Sequence, residues 1–465
     1  MSLAGAAEPE AYWSTELESL GHAGLVSGEF DGHAGLDLVA TYQNGDALGV
    51  AVNLSGASEI WTLVPTTSEF SLQLRTGQWD SDSELEVLVG LPVHTTEAGQ
   101  VGAAWVLDFS GQTTAPDTLE ELQVFTRVGA EVGTGFGTDL QLLDCNETTG
   151  VELLVSEPGA SERVMPTIWA FGETADGPDV VGSWQMKGDG NPAFGLNLLA
   201  FERDQTSTLA ASACEQPYQE GQTCEDHGLL MLLPADSCSG TMSINVESAT
   251  STNLPGMPQG LHPFLDGSTD LLDGFVWASP ERKSMVNLAN GTKQALTSIG
   301  DSGAFVQNLT ESVPQSWVAS SGSVWQIAGQ LEKGSVESGT AREHELEADS
   351  LGQRLVVAGD VDGDGCDDVL STSTVGQSLY LLRGCDPTNP DTGDTGDTGG
   401  GDTGGGDTGA KPEDTGDGPE PGDTGVPCES TFGWGCASVG TSRVSRFGIV
   451  FFSLIFWTRR QRKSA

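Results

Sequence analysis

The chain has 465 residues, with 67 Asp plus Glu against 19 Lys plus Arg, a formal net charge of −48. A field of that sign repels nucleic acid and anionic lipid, draws divalent cations and basic partners, and keeps an exported protein soluble. Glycine is frequent at 63 residues and the hydrophobic share is only 37%, which argues against a mainly helical chain and for short strands joined by turns.

Residues 1–18 read as an N-terminal segment. Met1 to Glu18 lacks an apolar run long enough for a signal peptide, yet Ser2-Leu3-Ala4-Gly5-Ala6-Ala7-Glu8-Pro9 has the small residues that end a cleaved signal. We therefore expect it to be a signal-peptide remnant whose natural start lies upstream.

From 19 to 385 one template recurs: a small residue, an acidic turn of nine, an apolar strand, small residues, and a second strand with aromatics. Glu29-Phe30-Asp31-Gly32-His33-Ala34-Gly35-Leu36-Asp37 leads into Leu38-Val39-Ala40. Gln78-Trp79-Asp80-Ser81-Asp82 leads through Glu86 into Val87-Leu88-Val89-Gly90-Leu91-Pro92. Phe136-Gly137-Thr138-Asp139 precedes the turn Asp144-Cys145-Asn146, which runs to Glu152 and is followed by Pro158-Gly159-Ala160. Phe194-Gly195 precedes a worn copy from Glu202 to Ala210, and faint copies run from Asp266 to Gly274 and from Asn308 to Ser316. The fullest copy is Asp360-Val361-Asp362-Gly363-Asp364-Gly365-Cys366-Asp367-Asp368, followed by Val369-Leu370 and then Ser378-Leu379-Tyr380-Leu381-Leu382. Turn starts fall about 40 to 65 residues apart, the spacing of propeller blades. A single sheet cannot bury both faces alone, and a ring of sheets can. The expected fold is all-β, a seven-bladed β-propeller.

Calcium takes six to eight hard oxygens in loose geometry. In the last turn Asp360, Asp362, Asp364 and Asp368 offer carboxylates and Cys366 a carbonyl, while Gly363 and Gly365 permit the tight curl. Four carboxylates this close repel one another, and a cation resolves the repulsion; the alternative is a solvated acidic turn. Fewer oxygens come from Gln78, Asp80, Asp82 and Glu86, from Asp144, Asn146, Thr148 and Glu152, and from Glu29, Asp31, His33 and Asp37. The copies starting at Glu202, Asp266 and Asn308 are expected to keep only the turn. The expected cofactor is Ca2+, in a structural role.

Phe136-Gly137, Phe194-Gly195, the acidic turns, Gly90-Leu91-Pro92 and Pro158-Gly159-Ala160 together resemble the FG-GAP (VCBS) repeat, best known from the integrin alpha-subunit propeller and from bacterial surface proteins. The resemblance spans about residues 20 to 385. It implies a seven-bladed propeller with calcium turns on one rim.

Eight cysteines occur: Cys145, Cys214, Cys224, Cys238, Cys366, Cys385, Cys428 and Cys436. An even count without CxxC or zinc spacing points to disulfides and an oxidising compartment. The expected pairs are Cys214 with Cys224 and Cys366 with Cys385, each closing a short loop, with Cys145–Cys238 a further pairing. Reduced buried thiols are the alternative.

Residues 386–427 are Asp-Thr-Gly repeats with too little apolar surface to fold, and read as a disordered, extended linker. Residues 428–465 form a sorting or anchor segment. Its apolar run, Phe447 to Trp457, would be a short hydrophobic helix of about 16 Å against a bilayer core of roughly 30 Å. Arg459, Arg460, Arg462 and Lys463 follow and would stay cytoplasmic, leaving the propeller outside. Linker, Gly435-Cys436, apolar run and basic cluster resemble bacterial MYXO-CTERM and GlyGly-CTERM sorting tails, which implies processing at Cys436. A permanent anchor is the alternative.

His22, His33, His94, His227, His262 and His344 are scattered, and there is no HExxH, GxSxG or P-loop. Trp61, Trp105, Trp169, Trp184, Trp277, Trp317 and Trp325 either pack between blades or line a ligand rim. The expected function is non-enzymatic: an exported, monomeric calcium-binding propeller, at the bacterial cell surface or secreted, that binds an extracellular protein or glycan and meets the membrane through its tail. The rivals are an extracellular lyase or hydrolase on the same fold, which a His, Arg or Tyr cluster at the central channel would favour, and a structural envelope protein without a ligand.

Overall fold

In the computed structural model the described residues lie between Glu10 and Gly384. Excluded are 15–16, 18, 22–23, 45–46, 65–71, 98, 146–149, 160–164, 175–176, 188–193, 204–205, 215–227, 235–237, 246–249, 362–364, 374–377 and the stretches between strands from 255 to 350. The linker and tail, with Cys428 and Cys436, fall outside them. So do Asn146, Thr148, Asp362, Asp364, Cys224 and Cys385.

The described chain is all-β. Its one helical piece is a 3-10 turn at Leu119–Leu122, and none of its helices is long and apolar enough to cross a membrane. Among the described residues the strands form seven larger sheets and two small hairpins. The first sheet comprises Leu25–Gly28, Asp37–Asn44, Ala47–Asn53 and Trp61–Leu63; the second Gln73–Gly77, Glu86–Leu91, Ala103–Leu107 and Gln123–Val128. The third holds Leu140–Leu143, Glu152–Glu157, Thr167–Gly172, Asp179–Lys187 and, out of sequence, Gly240–Asn245. The fourth comprises Leu198–Arg203, Thr206–Cys214, Gly228–Pro234 and Thr250–Leu254. The fifth begins at Leu261–Leu265 and the sixth at Ser302–Thr310, while the seventh holds Leu351–Gly359, Asp368–Ser373 and Ser378–Leu382.

The seventh sheet takes its fourth strand from the other end of the chain. Glu10–Ser14, which the sequence places in the N-terminal segment, pairs antiparallel with Ser378–Leu382. The first strands of the sheets touch in order: Leu25–Gly28 meets Gln73–Gly77, which meets Leu140–Leu143, and so on to Leu351–Gly359, which touches Leu25–Gly28 again.

Period-two alternation explains why the strands read as unbroken apolar runs. Val39, Val50 and Val52 of the first sheet pack against Val87, Val89, Leu91 and Trp105 of the second. Their neighbours Leu38, Ala40 and Ala51 turn the other way, toward Val356, Leu370 and Leu381 of the seventh. Leu88, Ala104 and Val106 likewise face Leu153, Val155 and Phe171 of the third, whose Leu154, Ile168 and Ala170 face Leu198, Leu209 and Met231 of the fourth. The first, second and third sheets each bury both faces between neighbours, so apolar residues are needed at consecutive positions.

The Phe-Gly positions have a defined job. Gly137 N–H donates to the Ser156 carbonyl at 2.9 Å, and the Asp139 N–H donates to Ser156 Oγ at 2.8 Å. Gly195, Asn197 and Ser212 repeat that pattern, at 2.7 and 3.0 Å. Both glycines have positive φ, +85° and +82°, where a side chain is strained. Asp139, 3% exposed, also accepts two bonds from Arg75 Nη2 at 2.9 and 3.1 Å, one from Arg75 Nε at 3.1 Å and one from Leu198 N–H at 2.8 Å. One carboxylate thereby joins the second, third and fourth sheets.

Candidate metal centre in the acidic turns

The four acidic turns occupy the same place, between the first and second strands of the first, second, third and seventh sheets. In each, the closing carboxylate is the first residue of the second strand. Asp37, Glu86, Glu152 and Asp368 are at most 2% exposed. Each accepts the N–H of the turn's second residue: Phe30 at 2.6 Å, Trp79 at 2.5 Å, Cys145 at 2.9 Å and Val361 at 3.0 Å. The worn copies differ. Arg203 pairs with Thr206, and Thr310 with Val313, so tight hairpins stand where Glu202 and Asn308 were expected to open a turn.

The second oxygen of the closing carboxylate sets the turns apart. Asp37 Oδ1 accepts Ser55 N–H at 2.6 Å, and Asp368 Oδ1 accepts Gly384 N–H at 2.7 Å. Glu86 Oε1 is buried and has no hydrogen-bond partner. Past the third strand of the second sheet, the Ser110 N–H is taken by Asp108 Oδ1 at 2.7 Å.

Asp80, Asp82 and Glu86 bring one oxygen each to within 4.8 Å of one another. Burial pushes Glu86 up to about 7, against a bond from Trp79 that lowers it, and Asp80 and Asp82 push it further up. The Asp82 carboxyl is raised as well, by loss of water and then by Asp80. Gln78 Nε2 donates to the Asp82 carbonyl at 2.6 Å and braces the curl. An unpartnered buried oxygen beside two exposed carboxylates fits a hard divalent cation, since all three donors are oxygen.

The first turn is closed by the protein's own donors. Asp31 is 2% exposed. Its Oδ1 accepts His33 N–H at 2.8 Å and Ser55 Oγ at 3.3 Å, and its Oδ2 accepts Gly56 N–H at 2.8 Å. His33 Nδ1 stands 3.4 Å from the same carboxylate. Glu29 contributes its carbonyl, which accepts Leu85 N–H at 2.8 Å and joins this turn to the next.

In the seventh turn Asp360 Oδ2 accepts Gly365 N–H at 2.9 Å, and Gly365 has φ +89°. Asp367, not assigned a role from sequence, has its carboxyl pushed up to about 6 by burial and by the charges of Asp360 and Asp368. Cys366 is buried and disulfide-bonded, and a Cβ on Gly384 would stand 2.7 Å from its Cβ. In the third turn Cys145 is bonded to Cys238, 93 residues away. Sequence gave no means of finding the donors Ser55 and Gly56, which lie outside the acidic pattern.

Trp61, Trp105 and Trp184 are at most 3% exposed and pack between sheets. Trp169 is half-buried and donates Nε1–H to Glu157 at 2.6 Å.

No family model matches the chain, and no curated protein matches it. Among solved structures it is similar to the exotype rhamnogalacturonan lyase YesX, with a TM-score of 0.44 and 10% identity over 82% of this chain and 75% of that one.

Proposed function

We propose that the chain is an exported, calcium-stabilised, seven-bladed β-propeller of the FG-GAP type that acts as a non-enzymatic binding module for an extracellular protein or glycan. The cyclic contacts of the first strands and the pairing of Glu10–Ser14 with Ser378–Leu382 support a closed ring. The observation that carries the metal reading is the buried, unpartnered Oε1 of Glu86 beside Asp80 and Asp82. Those three side chains would hold the ion, which would supply the positive charge that the turn lacks. The bond between Cys145 and Cys238 and the bonded Cys366 support an oxidising compartment.

A rim fixed in this way is a rigid platform for loops, and loops on rigid scaffolds are where recognition concentrates. The linker would hold that platform away from the envelope, with the segment 428–465 providing the membrane association. The test is the melting temperature of the chain after chelation and after calcium is restored, with binding to a protein and glycan array read in both states. A calcium-induced rise that Asp80→Asn or Asp82→Asn removes is the expected result. An unchanged melting temperature overturns the metal reading.

A further inference from the structure

The third sheet has five strands where the other six large sheets have four. Its extra strand, Gly240–Asn245, lies in sequence between two strands of the fourth sheet, yet it crosses to the third. There it pairs in parallel with Asp179–Lys187, from Gly182 opposite Gly240 to Lys187 opposite Asn245. It is the one parallel ladder among the described strands.

Little apolar surface holds this strap. Ser239, Gly240, Thr241 and Ser243 are exposed, and the inward side chains are Cys238, Ile244 and the half-buried Met242. Cys238 carries the fastening. It is bonded to Cys145, and its N–H donates to the Cys145 carbonyl at 2.9 Å. Its own carbonyl passes so close to Gly182 that a Cβ there would stand 1.5 Å away. A six-residue edge strand with one fully inward aliphatic side chain belongs to the least stable part of a fold, unless a covalent bond restricts it.

We propose that Gly240–Asn245 is a latched cover over the outer edge of the third sheet, and that opening the Cys145–Cys238 bond releases it. The opening step is reduction by a dithiol: the S–S bond accepts two electrons and two protons to give two thiols, and the dithiol becomes a cyclic disulfide. Both cysteines are buried, at 1% exposure each, so the reagent reaches the sulfurs only during a brief local opening that the intact bond limits, and reduction then makes the release lasting. Release leaves the outward N–H and C=O groups of Asp179–Lys187 unpaired, the condition that edge strands otherwise avoid.

Hydrogen exchange read by mass spectrometry tests this on the full chain. In the Cys145→Ser/Cys238→Ser double variant, amides of 240–245 and 182–187 should exchange at least ten-fold faster, with Leu140–Leu143 and Glu152–Glu157 unchanged. Unchanged exchange in the strap overturns the proposal, as does a uniform acceleration across the third and fourth sheets. Should the variant fail to fold, the parent decides: the rate at which Cys145 becomes alkylatable should level off as dithiol concentration rises. A rate equal to that of an exposed model disulfide at every dithiol concentration means attack without lifting, and the latch is wrong.

Discussion

Asp37 and Glu86 hold equivalent places in adjacent turns, and one methylene with one rearranged turn separates what they do. Asp37 has both oxygens taken by backbone N–H groups from Phe30, Asp31 and Ser55. Glu86 has one oxygen taken and one left over. At a calcium concentration about a hundred-fold above Kd, one occupied site stabilises by about 2.7 kcal/mol. Glu86→Gln should therefore remove most of the calcium-induced rise in Tm, whereas His33→Ala, in the turn closed by protein donors, should leave it intact; calorimetry with and without chelator separates the two. The pH dependence follows from the same carboxyl. Folding raises Glu86 from 4.5 to about 7, so between those values the folded chain holds a proton that the unfolded chain has lost. The ion-free protein should lose stability as pH rises through that window. Calcium favours the ionised form, so the calcium-induced Tm rise should be larger at pH 7.5 than at pH 5.

At the scale of turns and strands, acidic spacing was a sufficient guide where carboxylates survive. The turns at Glu29, Gln78, Asp144 and Asp360 open one residue after a strand ends, and their ninth residues begin the next strand. Where the acids are gone the guide fails, and Glu202 lies within a strand that folds back at Arg203–Thr206. The strap was not legible because Gly240-Thr241-Met242-Ser243-Ile244-Asn245 reads as an ordinary strand of its own sheet. Nothing local says that its partner is Asp179–Lys187, although the Cys145–Cys238 bond beside it was among the pairings expected from the cysteines. The buried Arg75–Asp139 pair was equally hidden, since it joins residues 64 apart. Asp139→Ala would leave Arg75 without its carboxylate and Leu198 N–H without its acceptor. Breaking a buried ion pair in this way costs about 3–5 kcal/mol, which a urea titration of the variant would register as a lower midpoint.

For the whole molecule, the β class and the short-strand pattern were both written in composition and repeats. The closing strand was not: Glu10-Ala11-Tyr12-Trp13-Ser14 adjoins a run that reads as a processing signal. Trp13 is nevertheless 4% exposed and packs with Leu20, Tyr42 and Leu379. Removing residues 1–15 should lower the melting temperature and raise exchange in Ser378–Leu382 before any other strand. Retention of the parent's exchange pattern would show that the pairing contributes nothing.

That pairing also fixes the order in which the protein can mature. Glu10–Ser14 leaves the ribosome before the other described strands, and its partner at Ser378–Leu382 arrives only after them. Until then the leading end has no docking place, and a nascent chain halted short of residue 378 keeps a gap in its circle. Completion of the seventh sheet is thus reported by the last of the described strands to be made.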